Sequence, residues 1–264
     1  MTKKIRAYSV LGNIAIVNFP ENFKISDKKK FAKKIMKQNP SVKTVLEKSA
    51  KFAGRLRKMK TKHILGEKTK EVLYKENSCT FRFNIDDAYF SPRLSNERKE
   101  IASEIKKKDK VLVMFAGVAP YSIVIAKNSN PKIVVSNEIN RKANKYAQMN
   151  VELNKLKEKV ILFPGDIKKV WSKIKSQYKN FDVIVMPRPQ LKETFLKEAF
   201  KLSKKGTKIY YYDFSDVDKV NNVTERIKEE AKKFRKKIKI LKIKKAGEIA
   251  PGKIRVRVDF KILR

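Results

Sequence analysis

The spacing of apolar positions changes near residue 110. Beyond it, short apolar runs at 111–115, 132–136, 160–163, 181–186 and 207–213 alternate with stretches whose apolar residues recur at helical spacing, at 120–128, 140–154, 191–203 and 217–234. The run Val111-Leu-Val-Met-Phe115 shows no period of two, as expected of a parallel strand covered on both faces. Two further strands, 237–243 and 254–262, are joined across Gly247 to Gly252 and suit an antiparallel edge. The predicted class is therefore α/β: a doubly wound, Rossmann-like, mostly parallel sheet with helices on both faces.

The first hundred residues read differently. Tyr8 to Phe19 forms a hairpin with Gly12-Asn13 at its turn, and a lysine-rich helix spans 27–38, capped by Asp27 and ended by Asn39-Pro40. Strands follow at Val42–Leu46, Glu71–Tyr74 and Cys79–Phe83, the last two around a turn at Glu76-Asn77. Residues 1–100 are expected to be a small α+β module and 101–264 the larger domain. A helix is predicted over 95–107, with Lys106-Lys-Lys-Asp-Lys110 as its solvated end.

Composition narrows the partners. A net charge of +39, with basic residues in every segment, favours a polyanion, and RNA or DNA is the expected one. A lysine-biased surface with no ligand is the plainer alternative. The chain lacks an apolar run long enough to cross a membrane, so a cytoplasmic protein with no membrane partner is expected. One cysteine, Cys79, gives no internal disulfide and no cysteine-based zinc site. One histidine, His63, leaves no material for a histidine-dependent triad, and no metal is expected. Trp171, spaced helically from Ile167, Val170 and Ile174, reads as core.

Candidate chemistry gathers at strand ends. Phe115-Ala116-Gly117-Val118-Ala119-Pro120 is a small-residue turn that lets backbone N–H groups approach a ligand. It is neither a three-glycine dinucleotide fingerprint nor a P-loop, and a nucleoside-type cofactor such as S-adenosylmethionine fits it better. A ligand-free tight turn is the competing reading. Glu138, after the second strand, is placed to accept from ribose hydroxyls. Asp166, after the third, faces an adenine position or simply caps a helix. After the fourth strand, Pro187-Arg188-Pro189 predicts a rigid segment exposing Arg188 to substrate, or an ordinary stiff loop.

Several separate motifs carry a family resemblance over nearly the whole chain. They are Val10-Leu-Gly-Asn-Ile-Ala-Ile-Val17, Lys43-Thr-Val-Leu46, Lys75-Glu-Asn77, Tyr89-Phe-Ser-Pro-Arg-Leu94 with Glu97-Arg98, Met114-Phe-Ala-Gly-Val118, Asn150-Val-Glu-Leu-Asn-Lys-Leu156 and Ile209-Tyr-Tyr-Tyr212. In these the chain resembles the archaeal and eukaryotic type of tRNA (guanine37-N1)-methyltransferase. The resemblance implies a class I S-adenosylmethionine-dependent methyltransferase sheet behind a small RNA-contacting module, acting as a monomer on the anticodon stem-loop of tRNA. It also implies Glu97 as general base, and Arg57, the last residue of Gly54-Arg-Leu-Arg57, as the cation that steadies charge on O6 of guanine. Arg93 and Arg98 are implied as substrate-positioning residues, along with the segment Pro187 to Pro189. The chain departs from the family in having Val113 for an aspartate, Ala119 for a glycine, and Pro187-Arg-Pro-Gln190 for Asn-Leu-Pro-Lys. Many relatives also carry an N-terminal domain that reads the tRNA elbow, with which this sequence does not start. The related wybutosine-pathway aminocarboxypropyltransferase and a non-catalytic tRNA-binding relative are the alternatives.

Overall fold

A computed structural model describes residues 8–53 and 58–264 of the chain, in two units divided between Pro92 and Arg93. In the first unit, strands β1 (Tyr8–Leu11) and β2 (Ile14–Val17) form the expected hairpin, and helix α1 (Ile25–Gln38) follows. Strand β3 (Thr44–Ala53) lies parallel to β2, and β4 (Lys58–Gly66) pairs antiparallel to β3, giving the sheet order β1-β2-β3-β4. The apolar face of α1 (Ala32, Ile35) closes over Ala15, Val17 and Val45. Strand β3 runs well past the expected Leu46, because pairing with β4 carries its polar continuation as a ribbon. Strands β5 (Glu71–Glu76) and β6 (Cys79–Asn84) form a separate hairpin whose turn residues, Asn77 and Ser78, both have positive φ, as a primed turn requires.

Two turn residues tie these sheets together. A Cβ on Gly12 would lie 1.9 Å from the Leu73 carbonyl oxygen, so only glycine fits there. Asn13 then acts as a strand segment toward β5: its amide donates to the Glu71 carbonyl at 3.2 Å and accepts from the Leu73 N–H at 2.8 Å. Phe90 seals the hairpin, 4.9 Å from Phe83 and 5.1 Å from Tyr74, ring centre to ring centre.

A 3₁₀ turn (Pro92–Leu94) spans the division in the chain, and the second unit continues into α2 (Ser95–Glu104). It continues β7 (Lys110–Met114), α3 (Pro120–Ser129), β8 (Ile133–Glu138), α4 (Arg141–Leu153), β9 (Val160–Pro164), α5 (Ile167–Tyr178), β10 (Phe181–Met186), α6 (Leu196–Leu202), β11 (Ser203–Asp216), α7 (Val220–Lys233), β12 (Ile238–Ala250) and β13 (Lys253–Ile262). The seven strands lie in the order β12-β13-β11-β10-β7-β8-β9, with β13 antiparallel to both neighbours and the other pairs parallel. The direction of winding reverses between β7 and β10, so their carboxyl ends open the crevice where such sheets bind ligands.

Three local expectations need correction. Helix α2 ends at Glu104, not 107: Lys108 takes a positive φ, and the lysine run is a turn held by the Lys106 N–H on the Asp109 carboxylate at 2.8 Å. Helix α5, which contains Trp171, was not among the predicted helices although its apolar spacing was noticed. Helix α6 begins at Leu196 instead of 191, because Arg188 takes the carbonyls of Leu191 and Glu193 that a helix would use.

Candidate active site

The turn between β7 and α3 is built on left-handed backbone. Phe115, Gly117 and Ala119 have φ of 59°, 58° and 66°. Of these only glycine adopts such a φ without strain. Pro120 then starts α3 at a first-turn position, where an N–H would have no intrahelical acceptor. The turn is fastened by three bonds from two elements, β8 and α4. Ala116 N–H donates to the Asn137 carbonyl at 2.9 Å, the Asn150 amide on α4 donates to the Val118 carbonyl at 3.2 Å, and Gly117 N–H donates to Glu138 at 2.7 Å. The Asn150 contact gives the Asn150–Leu156 motif a physical role: it holds the turn.

Glu138 sits at the end of β8, half-buried. Each carboxylate oxygen receives one backbone N–H, Gly117 on Oε2 and Asn140 on Oε1, both at 2.7 Å. The two carboxylate oxygens together offer about four acceptor sites, so capacity remains for a ribose hydroxyl. Burial pushes this carboxyl up from its ordinary value, against the backbone donors of Asn140, Gly117 and Ile139. Asp166, at the end of the loop after β9, caps α5, accepting from Lys168 N–H at 3.1 Å. The turn, the diol acceptor and a strand end at the switch point together fit a nucleoside cofactor.

Glu97 lies buried on α2. Its Oε2 accepts from the Tyr212 hydroxyl at 3.0 Å and from Arg257 Nη1 at 2.8 Å, and Lys244 Nζ stands 2.6 Å from Oε1. Tyr212 belongs to β11, Arg257 to β13 and Lys244 to β12, so the sheet presents donors from three adjacent strands to one carboxylate. The Tyr212 ring lies 6.0 Å from that of Tyr121, at the start of α3. Arg98, the next residue, is buried with its guanidinium 5.6 Å from the Tyr121 ring centre. Arg93 is exposed in the 3₁₀ turn, and Arg57 lies outside the described residues.

The expectation that Arg188 is exposed is wrong. It is fully buried, with Nη1 2.5 Å from Asp213 Oδ1 and Nη2 bonded to the Leu191 and Glu193 carbonyls. The two prolines do form a stiff segment, but Arg188 turns inward because Asp213, at the end of β11, needs a counter-charge. Asp213 also accepts from Tyr211 at 3.2 Å and Arg226 at 3.3 Å. Arg188 thus braces the loop after β10, while half-buried Pro187 and Pro189 flank it.

Sequence reading missed Tyr212, Arg257, Lys244 and Asp213. A signal existed for Arg257 and Asp259: charged residues at alternate positions of an apolar strand read as a solvent face, yet β13 is flanked by strands on both sides and both residues are buried. Among the described residues no cluster of potential metal ligands occurs.

The strand order and these strand-end groups define a class I, Rossmann-like methyltransferase domain. Sequence comparison then gives the family: residues 72–241 match the TRM5/TYW2 methyltransferase domain and residues 1–69 the TYW2 N-terminal domain. The chain is 32% identical to a tRNA (guanine(37)-N(1))-methyltransferase, Trm5b, of Pyrococcus abyssi, over 97% of this chain and 74% of that one. The crystal structure of that protein superposes with a TM-score of 0.84 at 31% identity, covering 98% of this chain and 76% of the other. A tRNA (guanine(37)-N(1))/4-demethylwyosine(37)-methyltransferase, Taw22, of Nanoarchaeum equitans is 33% identical over 97% of this chain and all of its own length. The M. jannaschii TYW2 structure in complex with AdoMet aligns with a TM-score of 0.73 at 26% identity, covering 98% of this chain and 100% of that one. This chain belongs to the TRM5/TYW2 methyltransferase family.

Proposed function

We propose that this protein is an S-adenosylmethionine-dependent tRNA methyltransferase that adds a methyl group to N1 of the guanine 3′ of the anticodon, acting in the cytoplasm as a monomer on the anticodon stem-loop. Bound S-adenosylmethionine supplies an electrophilic methyl group on a sulfonium centre. The turn Phe115–Pro120 and Glu138 hold its nucleoside, with Asp166 at the neighbouring strand end. Guanine N1 carries a proton and lacks a good lone pair, so a base must remove that proton as the new bond forms. Glu97 is that base. Arg57 steadies the charge growing on O6, and Arg93 and Arg98 position the substrate.

The observation that carries the reading is the setting of Glu97, a buried carboxylate fixed by Tyr212 and Arg257 on one oxygen. Arg98 and Tyr121 link its helix to the one that follows the cofactor turn. The relatives named above support the substrate class. A second reading, transfer of the aminocarboxypropyl group of the same cofactor, is favoured by the TYW2-type match of residues 1–69.

The deciding experiment is nucleoside mass spectrometry after incubation of unmodified tRNA transcript with S-adenosylmethionine. A single methyl gain on guanine supports the proposal; a gain of the larger group alone, on pathway-intermediate tRNA, replaces it with the second reading. Glu97→Gln is expected to abolish turnover while leaving tRNA affinity within about threefold. Parallel loss of both would remove Glu97 from the role of base.

A further inference from the structure

The two cations on Glu97 are held very differently. Arg257 is buried and locked: Nε and Nη2 reach the two oxygens of Asp259 at 2.8 and 3.1 Å, Nη2 also reaches Glu100 at 2.8 Å, and Nη1 reaches Glu97. It cannot leave without stranding Asp259. Lys244 is the opposite case. Its side chain is 33% exposed, and it stands on β12, the edge strand of the sheet, beside exposed Lys242 and Lys245. Its contacts are single-point ion pairs, to Glu97 Oε1 and to Glu100. Glu100 keeps Arg257 and Lys242 without it.

Lone-pair accounting on Glu97 makes the difference matter. Tyr212 and Arg257 occupy both acceptor sites of Oε2, so an incoming proton has to bind Oε1. Lys244 sits on that oxygen and occupies the position at which an incoming proton would bind. A half-buried lysine at the sheet edge of a strongly basic protein has an alternative partner as soon as RNA arrives, and moving an ammonium from carboxylate to phosphate leaves the net charge unchanged.

We propose that Lys244 is an exchangeable positioning residue: it holds Glu97 and Glu100 in the free enzyme and moves to a tRNA phosphate in the complex, freeing Glu97 Oε1. The N1–H bond of guanine then breaks toward Oε1 and its electron pair stays on N1, which bonds the methyl carbon as the methyl–sulfur bond of the sulfonium breaks with its pair left on sulfur; the neutral thioether departs, and the proton stays on Glu97 for release to solvent. Lys244 touches no reacting atom. It couples substrate binding to exposure of the base while Arg257 and Tyr212 keep the carboxylate oriented. This rests on the reading of Glu97 given above.

The test compares wild type with Lys244→Met, Lys244→Gln and Lys244→Arg, using unmodified tRNA transcript. The readouts are the salt dependence of tRNA affinity and steady-state methyl transfer. The expected result for Met and Gln is a salt slope smaller by about one, as for the loss of one phosphate contact, and a KM raised roughly 3–10-fold at low salt with kcat within about twofold. Arginine restores the slope. An unchanged slope with a lowered kcat in both variants would mean that Lys244 stays on Glu97 throughout, and the exchange would be wrong. If wild type itself makes no methylated guanine, the reading of Glu97 falls and takes the exchange with it. If wild type is active and the variants keep both slope and KM, the exchange alone falls.

Discussion

Ala119 adopts a φ of 66° at the start of α3, where an L-residue with a Cβ is strained. Ala119→Gly is therefore expected to stabilise the protein by about 0.5–1 kcal/mol, the conformational relief exceeding the added chain entropy. Urea unfolding measures it, and a destabilised variant would show that the methyl group packs well enough to offset the backbone. Glu138 gives a second test at this scale. Burial holds its carboxyl above the usual range, and only the carboxylate offers acceptors to both ribose hydroxyls. As pH falls through that raised value, cofactor affinity should drop, by up to about tenfold per pH unit, and level off above it. Glu138→Gln should bind S-adenosylmethionine roughly 10–100-fold more weakly and lose the pH dependence; calorimetric titration across pH reads both. These two residues were legible in sequence because a turn and the acid about twenty residues later are a local pattern. Arg188 was not, because its partner Asp213 lies on a different strand and nothing local signals the inward turn.

Helix α2 illustrates what period and hydropathy miss at the scale of an element. Ser95-Asn-Glu-Arg-Lys-Glu-Ile-Ala-Ser-Glu104 reads as a solvated helix, yet Glu97, Glu100 and Glu104 fall on one side of it and meet a row of sheet donors. Glu97 meets Tyr212 and Arg257; Glu100 meets Arg257, Lys242 and Lys244; Glu104 meets Tyr210 at 2.9 Å and Lys208. The helix is docked through charge on this side and through Ile101 and Ala102 elsewhere. The strands and most helices were legible because burial on both faces writes itself into composition. This ladder was not, because its pairs span more than one hundred residues. Burial alone would raise the Glu100 carboxyl, but hydrogen bonds from Lys244, Arg257 and Lys242 outweigh it and bring it down to about 2. A carboxyl depressed in the fold contributes stability that is complete above its unfolded value and lost as pH falls toward 2. Between about pH 4.5 and 2 the wild type should therefore lose stability faster than Glu100→Gln, by on the order of 1–2 kcal/mol after solvent screening. Parallel acid-unfolding curves for the two proteins would show that Glu100 contributes nothing.

For the whole molecule the governing quantity is the net charge of +39, and basic residues outnumber acidic ones in both units. The structure shows where many acids are spent. The α2 ladder, Asp213, Asp259 and Asp182 are engaged by buried or half-buried cations and backbone donors. The lysines of α1 and β12, by contrast, are largely exposed. Each such pair removes one positive charge with one negative, so the net excess of +39 that an RNA meets is carried by the lysines and arginines outside these pairs. Binding driven by such a surface releases counterions, so tRNA affinity should fall steeply with salt, with a slope of log K against log salt of about −4 or steeper if six or more phosphates are engaged. Cofactor affinity, set by the Gly117 turn and Glu138, should move little over the same range. Filter binding of tRNA and calorimetry of S-adenosylmethionine in one salt series separate the two. A shallow tRNA slope would mean that the lysine excess serves solubility and that recognition rests on a few fixed contacts. Equal slopes for both ligands would point to salt acting on the fold.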